Sequence, residues 1–220
     1  MLNLTDGGFA TPVVFATLND LGYLVVADFN GDGWPDVAAT SSINSNIVIF
    51  SNTQIWTNGG ASGLGNEVTI PNTSMPGSIA VGDFNSDGWP DLVVVNGVSN
   101  TGNNGVVVYL NLTDGGFAPA LPFFTGGNPL SVAVGDFNQD KKPDLAVATG
   151  AALQILLNTG TWSSNGGDAG FGPLLFVDGG VTNTWVEVQD LNGDGWPDIA
   201  VLGGSDDGYV SAFINSCGQD

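Results

Sequence analysis

Asp28-Phe29-Asn30-Gly31-Asp32-Gly33-Trp34-Pro35-Asp36, DFNGDGWPD, is the stretch whose reading decides the fold. It returns three times, as DFNSDGWPD over Asp83–Asp91, DFNQDKKPD over Asp136–Asp144 and DLNGDGWPD over Asp190–Asp198. The first aspartates of successive copies lie 55, 53 and 54 residues apart. Matches of this quality at a near-constant period mark an internal repeat. A longer period overlies it: LNLTDGGFA occurs at Leu2–Ala10 and again at Leu110–Ala118, an offset of 108 that also separates Asp28 from Asp136. The segments opening at Trp56 and Trp162 correspond within two residues. The chain therefore reads as a duplicated pair of units.

Strand signals flank every copy. Leu24 and Val26, Ile79 and Val81, Val132 and Val134, and Val186 and Val188 stand four and two residues before the first Asp, the period-two pattern of a strand. Apolar runs follow each loop: Val37–Ala39, Leu92–Val95, Leu145–Val147 and Ile199–Val201. Runs apolar at nearly every position predict strands covered on both faces. Third strands are expected over 47–50, 106–110, 153–157 and 209–214, and fourth strands near 68–70, 117–124 and 171–177. Helical periodicity is weak. The predicted fold class is all-β: a single repeat domain over 1–220, with four β-propeller-type blades of about four antiparallel strands each. The acidic loop falls between the first two strands of each blade. The last unit stops after its third strand, whereas residues 1–17 match the end of a third strand plus a fourth. That N-terminal strand is expected to complete the last blade, in the same molecule or in the next.

Composition narrows the function. The 220 residues carry 22 Asp+Glu against 2 Lys+Arg, a formal net charge of -20. Without a basic patch, nucleic acid and anionic membrane surfaces are poor partners, and a multivalent cation is a natural one. Disorder is the plain alternative for so acidic a chain, but 42% of the residues are hydrophobic and patterned. The 34 Gly and 11 Pro read as frequent turns. There is no His to act as general base, and Cys217 is the only cysteine, so neither an intramolecular disulfide nor a Cys-based zinc site can form. No apolar run approaches the ~20 residues that span a bilayer. Met1 runs into Leu2-Asn3-Leu4-Thr5 with no basic leader, so the chain reads either as cytosolic or as a mature form or fragment whose targeting segment is missing.

The loop chemistry points to Ca²⁺, which takes 6–8 oxygen ligands. Side-chain oxygens fall at loop positions 1, 3, 5 and 9. They belong to Asp28, Asn30, Asp32 and Asp36; Asp83, Asn85, Asp87 and Asp91; Asp136, Asn138, Asp140 and Asp144; and Asp190, Asn192, Asp194 and Asp198. Position 7 would add a backbone carbonyl, from Trp34, Trp89, Lys142 or Trp196, which frees its side chain to vary. Gly33, Gly88 and Gly195 at position 6 permit a positive φ. Three crowded carboxylates repel one another, so cation binding is expected to be part of folding. The third loop is the weak copy, because Lys141 and Lys142 replace Gly and Trp there. Turn chemistry alone would explain one such loop; four with every ligand position filled favour up to four Ca²⁺. An EF-hand is a poor reading, since position 12 is Ala39, Val94, Val147 or Val201 and strands flank the loop.

The loop, with the preceding Val-x-Asp-Phe-Asn and the following Pro-Asp-Leu-Ala-Val, resembles the FG-GAP/VCBS repeat of integrin α-subunit propellers and many bacterial extracellular proteins. Thr113-Asp114-Gly115-Gly116-Phe117 is similar to that family's Gly-x-Phe stretch. The resemblance covers essentially the whole chain. It implies propeller blades, calcium between the first two strands, an extracellular or cell-surface location, and adhesion or ligand recognition.

No catalytic constellation is visible, so the expectation is a non-catalytic protein with a structural or adhesive role that assembles head to tail into fibres. The partners expected are Ca²⁺, further copies of the chain, other extracellular proteins and glycans. The alternatives are a carbohydrate-binding lectin using Trp34, Trp89 and Trp196, or a propeller fragment of a larger receptor or enzyme. Packing against the neighbouring blade is the plainer role for those three tryptophans. Asn3, Asn72 and Asn111 each open an Asn-x-Ser/Thr pattern that an N-glycosylating host would read.

Overall fold

The computed structural model describes residues 12–15, 20–56, 63–72, 74–97, 104–113, 115–162, 170–177, 183–204 and 208–216. Every regular element among them is a β-strand. Blade 1 holds β1 (Leu21–Ala27), β2 (Asp36–Ser41), β3 (Asn46–Asn52) and β4 (Leu64–Pro71), side by side in that order. Blade 2 repeats the plan with β5 (Pro76–Gly82), β6 (Asp91–Asn96), β7 (Gly105–Tyr109) and β8 (Leu121–Phe124). Blade 3 holds β9 (Pro129–Gly135), β10 (Asp144–Thr149), β11 (Leu153–Leu156) and β12 (Leu175–Val177). Blade 4 has β13 (Asn183–Gln189), β14 (Asp198–Gly203) and β15 (Tyr209–Phe213), and no fourth strand joins it among the described residues. Neighbouring strands pair antiparallel. The expected all-β, four-blade plan is the one the chain adopts, with the acidic loop joining the first two strands of each blade.

β1 packs along β5, β5 along β9 and β9 along β13, which makes the first strands innermost. They enclose a cavity of about 540 Å³. Tyr23 and Trp185 lie across it, their rings stacked at 5.9 Å. Three apolar cores fill the spaces between successive blades. Strand alternation builds them. In blade 2, Leu92, Val94, Val107 and Tyr109 face blade 1, while Val93, Val95, Val106 and Val108 face blade 3. β6 and β10 are buried along their whole length, as their unbroken apolar runs predict. Each Val or Leu so buried is worth about 1.5–3 kcal/mol.

Residues 1–11, 16 and 17 of the expected N-terminal strand lie outside the described residues, as do Asp114, Asp168, Asp206, Asp207 and Cys217. Phe15 is described, and its ring meets Trp56 of blade 1 edge-on at 6.0 Å. No helix among the described residues is long and apolar enough to cross a membrane.

Candidate functional site

Each acidic loop is organised by its own backbone. In loop 1 the amides of Gly31 and Asp32 donate to Asp28 Oδ1 at 2.8 and 3.1 Å, and Gly33 donates to Oδ2 at 2.8 Å. Asp32 N also donates to Asn30 Oδ1, and Trp34 N donates to Asp32 Oδ1, both at 2.9 Å. In the other three loops the position-6 amide again donates to the first Asp, the position-5 amide to the Asn and the position-7 amide to the second Asp, around Asp83, Asn85 and Asp87, Asp136, Asn138 and Asp140, and Asp190, Asn192 and Asp194. The chain must turn left-handed to aim these amides inward. Position 6 has φ of 84° at Gly33, 89° at Gly88 and 88° at Gly195, and Lys141 is forced to 68° in the same place. Position 4 is left-handed too, including at Ser86 and Gln139, which the residue types did not announce.

Position 9 is different. Asp36, Asp91, Asp144 and Asp198 are fully buried as the first residues of β2, β6, β10 and β14. One oxygen of each accepts the amide of loop position 2, from Phe29, Phe84, Phe137 or Leu191, at 2.9–3.1 Å. The other accepts the amide of Asn52, Asn111, Asn158 or Asn215 at 2.7–2.8 Å. These asparagines end or follow the third strand of each blade. The sequence reading missed them because they fall 16, 20, 14 and 17 residues after the aspartate, a spacing too uneven to stand out. In blades 2, 3 and 4 the side-chain amide reaches back to the preceding blade. Asn111 Nδ2 donates to the Phe29 carbonyl, Asn158 Nδ2 to that of Phe84 and Asn215 Nδ2 to that of Phe137, each at 2.9 Å. The same residue therefore closes its own loop and latches its blade to the one before.

Burial raises the Asp91 carboxyl to about 7 and the Asp144 carboxyl to about 6, against two backbone hydrogen bonds each. The charges at positions 5 and 1 add to the rise. Asp36 is raised for the same reasons, burial first. In loop 3, burial works against ionisation of Asp140, yet the hydrogen bonds and charge of Lys142 hold its carboxyl below the ordinary value. The Lys142 ammonium stands 3.0 Å from Asp140 Oδ2.

The oxygen-only donor set fits a hard divalent ion in its chemistry. In loops 1, 2 and 3 the carboxylate at position 9 lies near enough to feel the charges at positions 5 and 1. Among the described residues, however, no three His, Cys, Asp or Glu side chains are gathered into a metal-holding group, because their oxygens are turned onto backbone amides.

The tryptophans divide. Trp89 lies directly on Gly31 of the preceding loop, where an added Cβ would stand 2.3 Å from the ring, whereas Trp34 is 47% exposed. Trp56 and Trp162 each donate an indole N–H to the latch asparagine, Asn52 or Asn158, at 3.2 and 3.0 Å. Trp162 also packs edge-on against Phe123 and Phe171. Asn72 and Asn111 have buried side chains whose Nδ2 atoms are engaged, with Asn96 and with Phe29, so neither amide is presented to solvent for a glycan. Asn3 lies outside the described residues.

Comparison with known proteins places this arrangement. The FG-GAP-like repeat matches residues 28–94, 95–147 and 136–201. Human integrin alpha-7 is 44% identical over 79 residues, which is 32% of this chain and 7% of the integrin. Among solved structures, the N-terminal part of BBS1 bound to ARL6 superposes with a TM-score of 0.55 at 17% identity, covering 86% of this chain and 52% of that one. An Agrocybe aegerita lectin that recognises non-reducing terminal N-acetylglucosamine superposes with a TM-score of 0.51 at 20% identity, covering 87% of this chain and 51% of the lectin. The chain thus spans about half the length of these propeller-like structures and a small part of the integrin. With its repeats matched from Asp28 to Val201, the chain belongs to the FG-GAP-like repeat family.

Proposed function

We propose that this is an extracellular calcium-binding propeller repeat protein whose role is structural or adhesive, not catalytic. The observation that carries the reading is that the carboxylates at positions 5 and 1 act by their charge on the buried one at position 9 in loops 1, 2 and 3, with the Lys142 ammonium against Asp140 in the third. One Ca²⁺ per loop relieves that repulsion, up to four in all. The ligands are the side chains at positions 1, 3, 5 and 9 and the carbonyl at position 7. The third site is the weakest, because Lys142 already neutralises Asp140. Membership of a repeat family shared with an integrin supports a place outside the cell, with other proteins, glycans or further copies of the chain as partners.

Calorimetric titration with Ca²⁺ tests the reading, alongside thermal unfolding with and without chelator. Saturable binding and a raised Tm that chelator abolishes are expected. Absence of both would overturn it.

Glycan binding is a second reading, favoured by the Tyr23–Trp185 ring pair lining the inner cavity and by Glu187, which accepts the Trp185 indole N–H at 2.8 Å. Aromatic faces beside a carboxylate suit sugar rings. A glycan array signal lost in Trp185→Ala would support it; an empty array would remove it.

A further inference from the structure

One set of contacts joins every pair of successive blades. An apolar residue of the later blade's first strand is covered: Ile79, Val132 or Val186. The later blade's latch asparagine reaches the earlier loop. At the first joint, Trp89 also caps Gly31.

Among the described residues, blade 1 carries the rear half of this joint unmatched. Leu24, the counterpart of Ile79, is 64% exposed where Ile79 is 7%. Trp34, the counterpart of Trp89, is exposed, and among the described residues Asn52 Nδ2 reaches only its own blade, at the Pro35 carbonyl. Beside Leu24 lies an apolar groove of about 230 Å³ lined also by Phe15, Val37, Phe50 and Leu64.

Among the described residues, blade 4 carries the front half unmatched. Val210, the counterpart of Val106, is 75% exposed where Val106 is fully buried. Leu191 and Leu202, the counterparts of Phe84 and Val95, are exposed as well. Gly193, the counterpart of Gly31, has nothing within 4 Å of where its Cβ would be.

We propose that these two halves recognise each other, so that blade 4 of one copy docks on blade 1 of a second copy as each blade docks on the next within the chain. This deepens the structural reading above and rests on it for its biological role. The occupant is specified by the joint itself: Trp34 would cover Gly193, Asn52 Nδ2 would take the Leu191 carbonyl, and Val210 would enter the groove beside Leu24. Phe15 supports the placement. By the 108-residue duplication it corresponds to Phe123, which sits on the outer strand of blade 2 and meets Trp162 of blade 3 at 5.7 Å. Phe15 meets Trp56 of blade 1 in the same edge-on manner at 6.0 Å. It therefore stands where the outer strand of a preceding blade belongs, beside the place where β15 of a docked copy would present its unpaired edge. Such a joint is heterologous, and its rotation decides between a ring and an open filament.

Sedimentation velocity of the full chain in millimolar Ca²⁺ and physiological salt tests this, with Leu24→Glu blocking the rear face and Val210→Glu the front. Both side chains are exposed, so circular dichroism should be unchanged. The wild type is expected to associate with rising concentration, and each variant alone to remain monomeric. A mixture of the two should form a 1:1 dimer that grows no further, because one intact joint remains between them. A monomeric wild type, a variant that still associates alone, or a mixture that stays monomeric would each overturn the proposal. Ca²⁺ binding measured on the same samples is independent of all three results, so loss of the joint and loss of the calcium reading are told apart.

Discussion

Asn111 Nδ2 donates to the carbonyl of Phe29 at 2.9 Å, across 82 residues of chain, while its backbone amide donates to the buried carboxylate of Asp91 at 2.8 Å. One residue thus ties the third strand of blade 2 to its own acidic loop and to the loop of blade 1. Asn111→Ala leaves the Phe29 carbonyl buried without that donor. We expect a loss of about 2–3 kcal/mol in unfolding free energy. Urea denaturation should show a lower midpoint, and a wild-type value would remove the latch from the account.

Lys141 holds φ at 68°, where the other three loops have glycine. A left-handed conformation costs a residue with a Cβ about 1–2 kcal/mol. Lys141→Gly is therefore expected to stabilise the chain, by about 1 kcal/mol once the greater freedom of the unfolded glycine is set against the relief. Thermal unfolding in chelator checks the sign, since a lower Tm would mean that the Lys141 side chain contributes more than its strain removes.

Gly31 faces the Trp89 ring with no room for a Cβ, at a φ of 73°. Gly31→Ala is expected to cost about 2–3 kcal/mol, from overpacking and left-handed strain together. The displaced Trp89 should also change its fluorescence. Gly193→Ala carries the same strain but meets no ring in the isolated chain, so it should cost only the smaller share.

The pH dependence follows from Asp91, Asp144 and Asp36, whose carboxyls titrate higher in the folded chain than in the unfolded one. Between the unfolded value of 3.8 and the folded values of about 7 and about 6, the native state holds protons that the unfolded state has released. Stability from these groups therefore falls as pH rises through that window, and the cost is absent below it. In chelator, Tm should be higher near pH 5 than near pH ~7.5. Bound Ca²⁺ favours the ionised form, so in its presence the slope should flatten or reverse. Parallel slopes with and without calcium would argue against the proposed ligand set.

The four loops, their left-handed sixth positions and the strands on either side were legible in the residues. They are local: Asp, Asn and Gly at fixed offsets set the loop's hydrogen bonds, and two-residue alternation sets the strand faces. The latch asparagines were not legible, because the connections between third strands and loops vary in length and only the folded sheet brings Asn52, Asn111, Asn158 and Asn215 to the same place. Nor could the residue types say that position 9 would be buried and turned onto two amides, since the same aspartate reads equally well as a ligand.

By itself, the sequence determined that the chain is all-β, repeated four times and loaded with hard oxygen donors, because periodicity and side-chain chemistry are properties of the chain alone. Only the tertiary structure decided which faces are matched. Leu24 and Ile79 carry the same pattern in the sequence. One is exposed and the other covered because burial depends on having a neighbouring blade, and among the described residues blade 2 has one where blade 1 does not.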